Sequence, residues 1–215
     1  PFEYFEGEEI VGVDVDIAKE IAKDLGKELT VKHTDFDSLV PSLVTGKADF
    51  VAAGMTINPE REDEVDFSIP YVESVQNIIS AKDNELKSME DLKGKKIGVQ
   101  RGTTGDTSVT DAINKEDGDL YGSGAEVKTY SNALEASQDL LVGRIDAVVI
   151  DKLTAEEIVK NNSDKLVTVE FGEISEHYGI AVEKGNTELL DSINKTLNKL
   201  IDEGKIEEYI SNHSN

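Results

Sequence analysis

The chain has 215 residues, with 22 basic against 45 acidic side chains and no cysteine. A formal charge of −23 repels phosphate backbones and anionic lipid headgroups, so we expect no nucleic acid and no membrane surface as a partner. The lack of cysteine excludes disulfides, thiolate nucleophiles and cysteine-based metal sites. Since 38% of the residues are hydrophobic and no low-complexity tract is present, the composition is typical of an ordered globular protein.

Four stretches of the sequence predict helices. They run from about Ile17 to Leu25, from Ser38 to Val44, from Ser131 to Gly143, and from Asn186 or Thr187 onward. The first helix is expected to stop at Gly26 and the second before Gly46, because glycine accepts the left-handed conformation that ends many helices. Ser131 is the predicted N-cap of the third helix.

Short runs rich in β-branched residues lie between these helices and predict strands. The runs are Leu29–Val31, Phe50–Ala53, Asn77–Ile79, Ile97–Val99, Ala147–Ile150, Leu166–Val169 and Gly179–Val182. Strands that alternate with helices usually form parallel sheets covered by helices on both faces. The sequence therefore predicts an α/β protein with mainly parallel sheets.

One ten-residue pattern occurs twice. Residues 43–52 align without gaps on residues 140–149, and both copies read as helix end, glycine, basic residue, aspartate and buried strand. The repeat predicts two lobes built on the same plan, although chance similarity of two helix-to-strand turns is the alternative. Ligands of open α/β sheets lie beyond the carboxyl ends of strands, so Gly54 to Thr56 and Asp151 are candidate binding residues.

The segment after the first copy carries candidate groups for an anion. Gly54 allows close approach to the backbone, Thr56 supplies a hydroxyl, and Pro59 suits the first turn of a helix that carries Arg61. The forked donors of a guanidinium match a carboxylate. The alternative for Arg61, which has acidic neighbours, is a solvated salt-bridge surface.

Three more candidates stand elsewhere in the chain. Residues 98–105 predict a strand, a Gly/Thr turn and a helix start, where the hydroxyls of Thr103 and Thr104 and the backbone N–H groups suit a carboxylate. Asp151 pairs with an ammonium or, alternatively, caps the helix that follows it. Phe36 stacks on an aliphatic or cationic side chain or, alternatively, lies in the core.

The sequence shows no catalytic constellation, and we expect no enzyme activity, metal or cofactor. The three histidines stand apart from one another, and no nucleophile-elbow motif is present. His33 reads as strand surface, His213 as a tail residue, and His177 as a cleft-edge residue of unknown role.

Five strings of sequence carry a family resemblance. They are Gly12–Ala18, Asp35–Leu43, Ala53–Arg61, Val65–Tyr71 and Leu92–Thr104. In this order they resemble the amino-acid-binding family of type II periplasmic binding proteins, solute-binding protein family 3. The string GMTI followed by Glu60 and Arg61, beside the string DFS, is highly specific to that family.

The resemblance implies a two-lobed α/β fold that closes on an amino acid and delivers it to the permease of an ABC importer. Lobe 1 would comprise residues 1–75 and 178–215 and lobe 2 residues 76–177, with hinges near 73–75 and 176–178. The expected location is extracytoplasmic, in a periplasm or lipid-anchored at the outer face of the cell membrane, after removal of a signal peptide.

The resemblance also assigns residues to each part of the ligand. The assigned residues are Arg61, the Thr56 backbone and Thr103 or Thr104 for the α-carboxylate, and the Gly54 carbonyl, the Thr56 hydroxyl and Asp151 for the α-ammonium. Phe36 would cover the ligand side chain. Gln100 and Asp14 are expected near the end of that side chain, which favours a polar cargo such as glutamine or arginine.

One departure from the family concerns the N-terminus. The family has a strand just before the residues that match Pro1, in the middle of the lobe 1 sheet. Without that strand, the backbone N–H and C=O groups of both neighbouring strands would be unpaired. We therefore predict that the natural protein has ~15 to 20 further N-terminal residues. A neighbouring chain or a rearranged segment that fills the gap is the alternative.

Two other function classes stay open at this point. The first is an enzyme like cyclohexadienyl dehydratase, which would need a general acid; Glu173 and His177 are the nominees. The second is a ligand-binding sensor module, such as the ligand core of a histidine kinase or of a glutamate receptor.

Overall fold

The computed structural model describes residues 1–172 and 175–214. Its strands are β1 (Tyr4–Glu6), β2 (Glu9–Val11), β3 (Phe50–Val51), β4 (Val65–Phe67), β5 (Val72–Ser74), β6 (Gln76–Ala81), β7 (Lys96–Gln100), β8 (Glu126–Tyr130), β9 (Ala147–Asp151), β10 (Leu166–Glu170), β11 (Glu176–Tyr178) and β12 (Ala181–Glu183). Its helices are α1 (Val13–Leu25), α2 (Leu39–Val44), α3 (Pro59–Glu62), α4 (Thr104–Asn114), α5 (Ala133–Leu141), α6 (Lys152–Lys160), α7 (Thr187–Asp202) and α8 (Lys205–Asn212). Among these described helices, none combines the length and the apolar character needed to cross a membrane.

The chain divides into two compact units. Unit 1 comprises Pro1–Glu73 and Glu176–Asn215, and unit 2 comprises Ser74–Ser175. The chain crosses from one unit to the other after residues 73 and 175, and the predicted lobe boundaries lie two residues further along, after residues 75 and 177. Each unit has its own sheet and core.

Unit 1 is built on a three-stranded sheet in the order β3-β12-β4. Ala181 in the central strand lies opposite Val51 on one side and Phe67 on the other. The core under this sheet includes the buried side chains of Leu43 and Met55, so α2 packs against the strands. The long helices α1 and α7 also pack on each other.

Unit 2 is a five-stranded sheet, in the order β10-β6-β9-β7-β8, between two hydrophobic cores. Successive side chains of a strand point to opposite faces. Ile78 of β6 and Val149 of β9 therefore belong to one core, whereas Ile79 and Val148 belong to the other. All four side chains are fully buried. Continuous apolar strands thus bury both faces of the sheet.

The helix-flanked α/β architecture is confirmed, but the sheets are mixed and not mainly parallel. Strand β7 runs parallel to β8 and β9, whereas β6 is antiparallel to β9 and β10. Strand β12 is antiparallel to both β3 and β4. Strand β6 begins just after the first chain crossing, and β12 follows the second crossing after β11. Among the described residues, no helix stands between β5 and β6 or between β10 and β12, whereas parallel pairing requires a long crossover, usually a helix.

The predicted strand at Leu29–Val31 is wrong. Residues 27–35 belong to neither a helix nor a strand, and the side chain of Val31 is 41% exposed. A β-branched run becomes a strand only where a neighbour pairs with its backbone. Within the described residues, no strand pairs with this run.

The predicted helix stops are confirmed, whereas two helix starts differ: α1 begins at Val13, four residues before Ile17, and α5 has another N-cap. Helix α1 ends at Gly26, which adopts a left-handed φ of 64°, and Asn186 caps α7. The N-cap of α5, however, is Asn132 and not Ser131. The side-chain oxygen of Asn132 accepts a hydrogen bond from the backbone N–H of Glu135, which leaves Ser131 outside the helix.

The repeated pattern folds into the same turn in both units. In each copy, three consecutive backbone N–H groups, beginning at Thr45 and at Val142, donate to carbonyls four, three and five residues earlier. Gly46 and Gly143 take similar left-handed conformations, with φ of 70° and 76°. The turns join α2 to β3 and α5 to β9, so the sequence repeat marks a structural repeat.

Gly12→Ala is expected to destabilise unit 1 strongly. Gly12 has a φ of 138°, and a Cβ atom there would lie 2.2 Å from the carbonyl oxygen of Phe2. Backbone strain and this clash together predict a loss of about 3 to 5 kcal/mol in the free energy of unfolding.

Urea unfolding measures the effect, with Gly7→Ala as the matched control. Gly7 also has a left-handed φ, of 66°, but a Cβ there would meet no atom within 4 Å. The control should lose only about 1 to 2 kcal/mol. Equal losses in the two variants would contradict the steric argument.

Candidate functional site

The turn that follows β3 is held by a buried carboxylate. Gly54 has a φ of 53°, a conformation that glycine adopts without strain, and a Cβ there would lie 3.4 Å from the ring of Tyr178. Its backbone N–H donates a 2.6 Å hydrogen bond to Oδ2 of Asp14. The backbone conformation at residue 54 thus favours glycine. The hydrogen bond to Asp14 holds the turn in place.

Asp14 is 1% exposed, and its other oxygen, Oδ1, accepts a 2.6 Å hydrogen bond from the hydroxyl of Tyr71. Burial raises the pKa of Asp14 from its ordinary value of 3.8 to about 6, against the opposing effect of the bonds from Tyr71 and Gly54. The same burial and the neighbouring Asp14 raise the pKa of Tyr71. These contacts position Gly54; the predicted role of Asp14 as a ligand contact stays a prediction.

Arg61 projects from the short helix α3, as the sequence predicts. Pro59 occupies its first turn, and Asn58 caps it by accepting a 2.9 Å hydrogen bond from the backbone N–H of Arg61. Nη1 of Arg61 donates a 2.6 Å hydrogen bond to the carbonyl of Thr56. The guanidinium carbon also lies 5.4 Å from the centre of the Phe36 ring. Unit 1 therefore brings Phe36, Thr56 and Arg61 together.

The hydroxyl of Thr56 is also oriented by the protein. It donates a 3.1 Å hydrogen bond to Oε2 of Glu176 on β11, and the side chain of Thr56 is buried. Arg61 and Thr56 thus bring a planar cation and an ordered hydroxyl together in unit 1. A carboxylate is the anion whose two oxygens match the guanidinium fork.

In unit 2, the turn between β7 and α4 contains two threonines, and the first of them stabilises the turn. Thr103 caps α4: its Oγ1 accepts from the N–H of Asp106 and donates a 2.8 Å hydrogen bond to the carbonyl of Gln100. Thr104 instead accepts a 3.2 Å hydrogen bond from Nε2 of Gln76. The Thr103 hydroxyl thus maintains the turn, and Thr104 is tied to a neighbouring strand.

Asp151 ends β9, and its side chain makes no capping hydrogen bond to α6. Asp151 thus occupies the N-cap position of α6, as the alternative has it, but its carboxylate does not cap the helix. Its Oδ1 accepts a 2.5 Å hydrogen bond from Nε2 of Gln76, which lies directly opposite Asp151 in the β6–β9 ladder. Unit 2 thus joins Asp151 and Thr104 through one amide, while Gln100 stands at the end of β7.

Sequence reasoning missed three residues that hold these groups: Gln76, Tyr71 and Glu176. The only local signal for Gln76 is a polar side chain at the start of a buried strand. Its partner Asp151 is distant in sequence, and strand pairing alone brings the two together.

Among the histidines, the interpretation of His33 as strand surface is wrong, because residues 27–35 form no strand, and that of His177 stays a prediction. His177 is exposed on β11, and Glu173, the other nominated acid, lies outside the described residues. His213 is not a loose tail residue. Its Nε2 lies 2.8 Å from Oδ2 of Asp16, and its Nδ1 lies 2.8 Å from the Tyr4 hydroxyl. The two contacts hold the end of α8 against α1 and β1.

Comparison with known proteins decides the family. The family model described as "Bacterial extracellular solute-binding proteins, family 3" matches residues 1–214. This chain belongs to that family. The predicted family and its fold are therefore confirmed.

Two relatives and one solved structure show the degree of similarity. The arginine-binding extracellular protein ArtP of Bacillus subtilis is 38% identical over 96% of this chain and 79% of its own length. The L-cystine-binding protein TcyJ of Escherichia coli is 34% identical over 94% of this chain and 74% of its own length. An ancestral arginine-binding protein, solved bound to arginine, is 43% identical over 99% of this chain and 92% of its own, with a TM-score of 0.90.

The ancestral protein is informative in a second way. It has also been solved bound to glutamine, with a TM-score of 0.88 over 99% of this chain and 92% of its own. Structures similar to this chain have therefore been solved with two different polar amino acids.

The buried Asp14 carboxylate predicts a specific pH dependence of stability. From about pH 3.8 to about pH 6, the folded protein keeps a proton that the unfolded chain has lost. The contribution of Asp14 to the free energy of unfolding therefore falls as pH rises through this window. Asp14→Asn removes this contribution, so its stability relative to wild type should improve by about 3 kcal/mol from about pH 4 to about pH 7.

Urea unfolding at the two pH values measures this difference. Asparagine can still accept from Gly54 while its amide donates to Tyr71, so the variant keeps both contacts. Asp63→Asn, at an exposed position, is the control for loss of a surface charge. A difference between Asp14→Asn and wild type that stays constant with pH would refute the buried-charge argument.

Proposed function

We propose that this protein captures a free amino acid, with arginine as the first candidate, and delivers it to the permease of an ABC importer. The observation that carries the proposal is the Arg61 guanidinium, held between the Thr56 carbonyl and the Phe36 ring. A cation fixed in this way is suited to the α-carboxylate that all free amino acids share. Membership of family 3 supports the same class of function.

Unit 1 would supply most of the contacts to the α-carboxylate. Arg61 is the charged partner, and the backbone of Thr56 lies beside it. The turn at Gly54 would offer its carbonyl to the α-ammonium together with the Thr56 hydroxyl. The face of the Phe36 ring would cover the ligand side chain, in addition to its contact with Arg61.

Unit 2 would supply the acidic partner and the remaining hydroxyl. Asp151 would pair with the α-ammonium, and Thr104, more than Thr103, would donate to the α-carboxylate, because Thr103 already caps α4. Gln100 would lie near the end of the ligand side chain. In this proposal, the two units are the two predicted lobes.

Arginine is favoured as cargo by two observations. ArtP and the arginine-bound ancestral protein cover nearly the whole chain at 38% and 43% identity. The net charge of −23 also attracts a cationic ligand at long range. Glutamine is the second candidate, because the ancestral scaffold has been solved with that ligand as well.

The setting of this function is part of the same proposal. Family 3 comprises extracellular solute-binding proteins, which supports a location in a periplasm or at the outer face of the membrane. The relatives are named for binding and not for catalysis, which supports a role as a binding protein without enzyme activity.

A thermal-shift screen against the twenty amino acids tests the proposal. A ligand present at 100 times its dissociation constant stabilises the folded state by about 2.7 kcal/mol, which raises the melting temperature by about 5 to 10 °C for a chain of this size. We expect such a shift with arginine. Arg61→Ala should abolish it, because the α-carboxylate loses its charged partner.

Arg144→Ala is the matched control for loss of an arginine. Arg144 is 71% exposed and pairs with Asp139 on the surface of unit 2. The control should keep the full ligand-induced shift. A wild-type protein that responds to none of the twenty amino acids, or an Arg61→Ala variant that responds like wild type, would refute the proposal.

A further inference from the structure

One buried amide in unit 2 connects the two groups that the proposed function assigns to the α-carboxylate and to the α-ammonium of an amino acid. Nε2 of Gln76 lies 2.5 Å from Oδ1 of Asp151 and 3.2 Å from Oγ1 of Thr104. Gln76 itself is only 9% exposed. Its side chain therefore touches both groups from within the protein.

The chemistry of the partners fixes the direction of both hydrogen bonds. An ionised carboxylate only accepts, so the amide nitrogen of Gln76 and not its oxygen must face Asp151. The same nitrogen lies within hydrogen-bonding distance of Thr104 and has a second hydrogen to give. Thr104 is therefore the acceptor in that contact.

This arrangement decides what each group can do for a ligand. A hydroxyl that accepts from Gln76 directs its own proton elsewhere, so Thr104 becomes a donor suited to a carboxylate. The amide hydrogen bond also fixes the orientation of the Asp151 carboxylate, whose remaining lone pairs suit an ammonium. One side chain thus gives opposite hydrogen-bonding character to its two neighbours.

Rigid surroundings hold the amide in this position. Gln76 and Asp151 are directly opposed in the β6–β9 ladder, and the carbonyl of Gln76 accepts a 3.0 Å hydrogen bond from the N–H of Phe171. Gly105 packs against the amide, and a Cβ there would lie 2.9 Å from Oε1 of Gln76 and 3.1 Å from the carbonyl oxygen of Val149. The lack of a side chain at Gly105 makes room for the amide.

We propose that Gln76 is a positioning residue for amino-acid binding, which sets Thr104 as a donor to the α-carboxylate and Asp151 as the partner of the α-ammonium. The inference rests on the proposed function, because that proposal supplies the roles of Thr104 and Asp151. Gln76 acts through these two residues and is not itself assigned to the ligand.

Calorimetric titration with L-arginine tests the inference on two variants. Gln76→Leu removes both hydrogen bonds, so the dissociation constant should rise about 10- to 100-fold. Gln76→Glu keeps the shape but places a carboxylate beside Asp151 and reverses the hydrogen bond to Thr104. It should weaken binding by more than Gln76→Leu does.

Two arginine analogues separate positioning from general damage to the fold. Agmatine lacks the α-carboxylate, and 5-guanidinopentanoic acid lacks the α-ammonium. In wild type, each missing group should weaken binding strongly; in Gln76→Leu, each should cost less, because its partner is no longer oriented. A purely structural role would weaken all three ligands by the same factor and would overturn the inference.

Two further variants complete the test. Asn77→Leu removes the neighbouring buried amide of β6, which bonds Thr168 and has no role in the proposal, so arginine affinity should stay within about twofold of wild type. Gly105→Ala displaces the Gln76 amide without deleting a polar group and should weaken arginine binding about tenfold. It replaces the Gln76 variants if urea unfolding shows that they do not fold.

The outcomes distinguish the two proposals. If wild type binds arginine and Gln76→Leu binds it equally well, the positioning role is wrong while the proposed function stands. If wild type binds none of the twenty amino acids, the proposed function fails, and the role of Gln76 fails with it.

Discussion

A polar group that is taken out of water must find its hydrogen-bond partners inside the protein, and the candidate site of each unit depends on this constraint. In unit 1 the buried carboxylate of Asp14 accepts from the backbone of Gly54 and from the hydroxyl of Tyr71. In unit 2 the buried amide of Gln76 donates to Asp151 and Thr104. In both units, satisfying an interior polar group therefore fixes the residues assigned to the ligand.

The two sites also share a structural plan. In each unit a helix ends at a left-handed glycine, a basic residue and an aspartate follow, and a strand leads to the candidate binding residues. Gly54 and Thr56 come after β3, and Asp151 ends β9. Because the carboxyl end of a strand leaves the sheet with exposed polar backbone, it is a natural place for ligand contacts.

Surface charge and site chemistry act over different distances. In unit 2, Lys128 and Arg144 both pair with Asp139, and the contact with Lys128 in particular holds the pKa of that carboxyl well below its usual range. Local ion pairs of this kind do not change the net charge of the chain, which is −23. That field attracts cations in general, whereas in the proposed function the choice among amino acids would depend on short-range groups such as Phe36 and Gln100.

The sequence by itself determined the features that depend on neighbouring residues: the apolar stripe of α1 and its stop at Gly26, the repeated helix-to-strand turn, and the helix start that projects Arg61. Only the tertiary structure decided which strands pair. It left Leu29–Val31 outside the sheets, made β6 and β12 antiparallel to their neighbours, and set Gln76 opposite Asp151. The burial of Asp14 was also decided there. Strand pairing and desolvation depend on segments that are distant along the chain, so no local pattern encodes them.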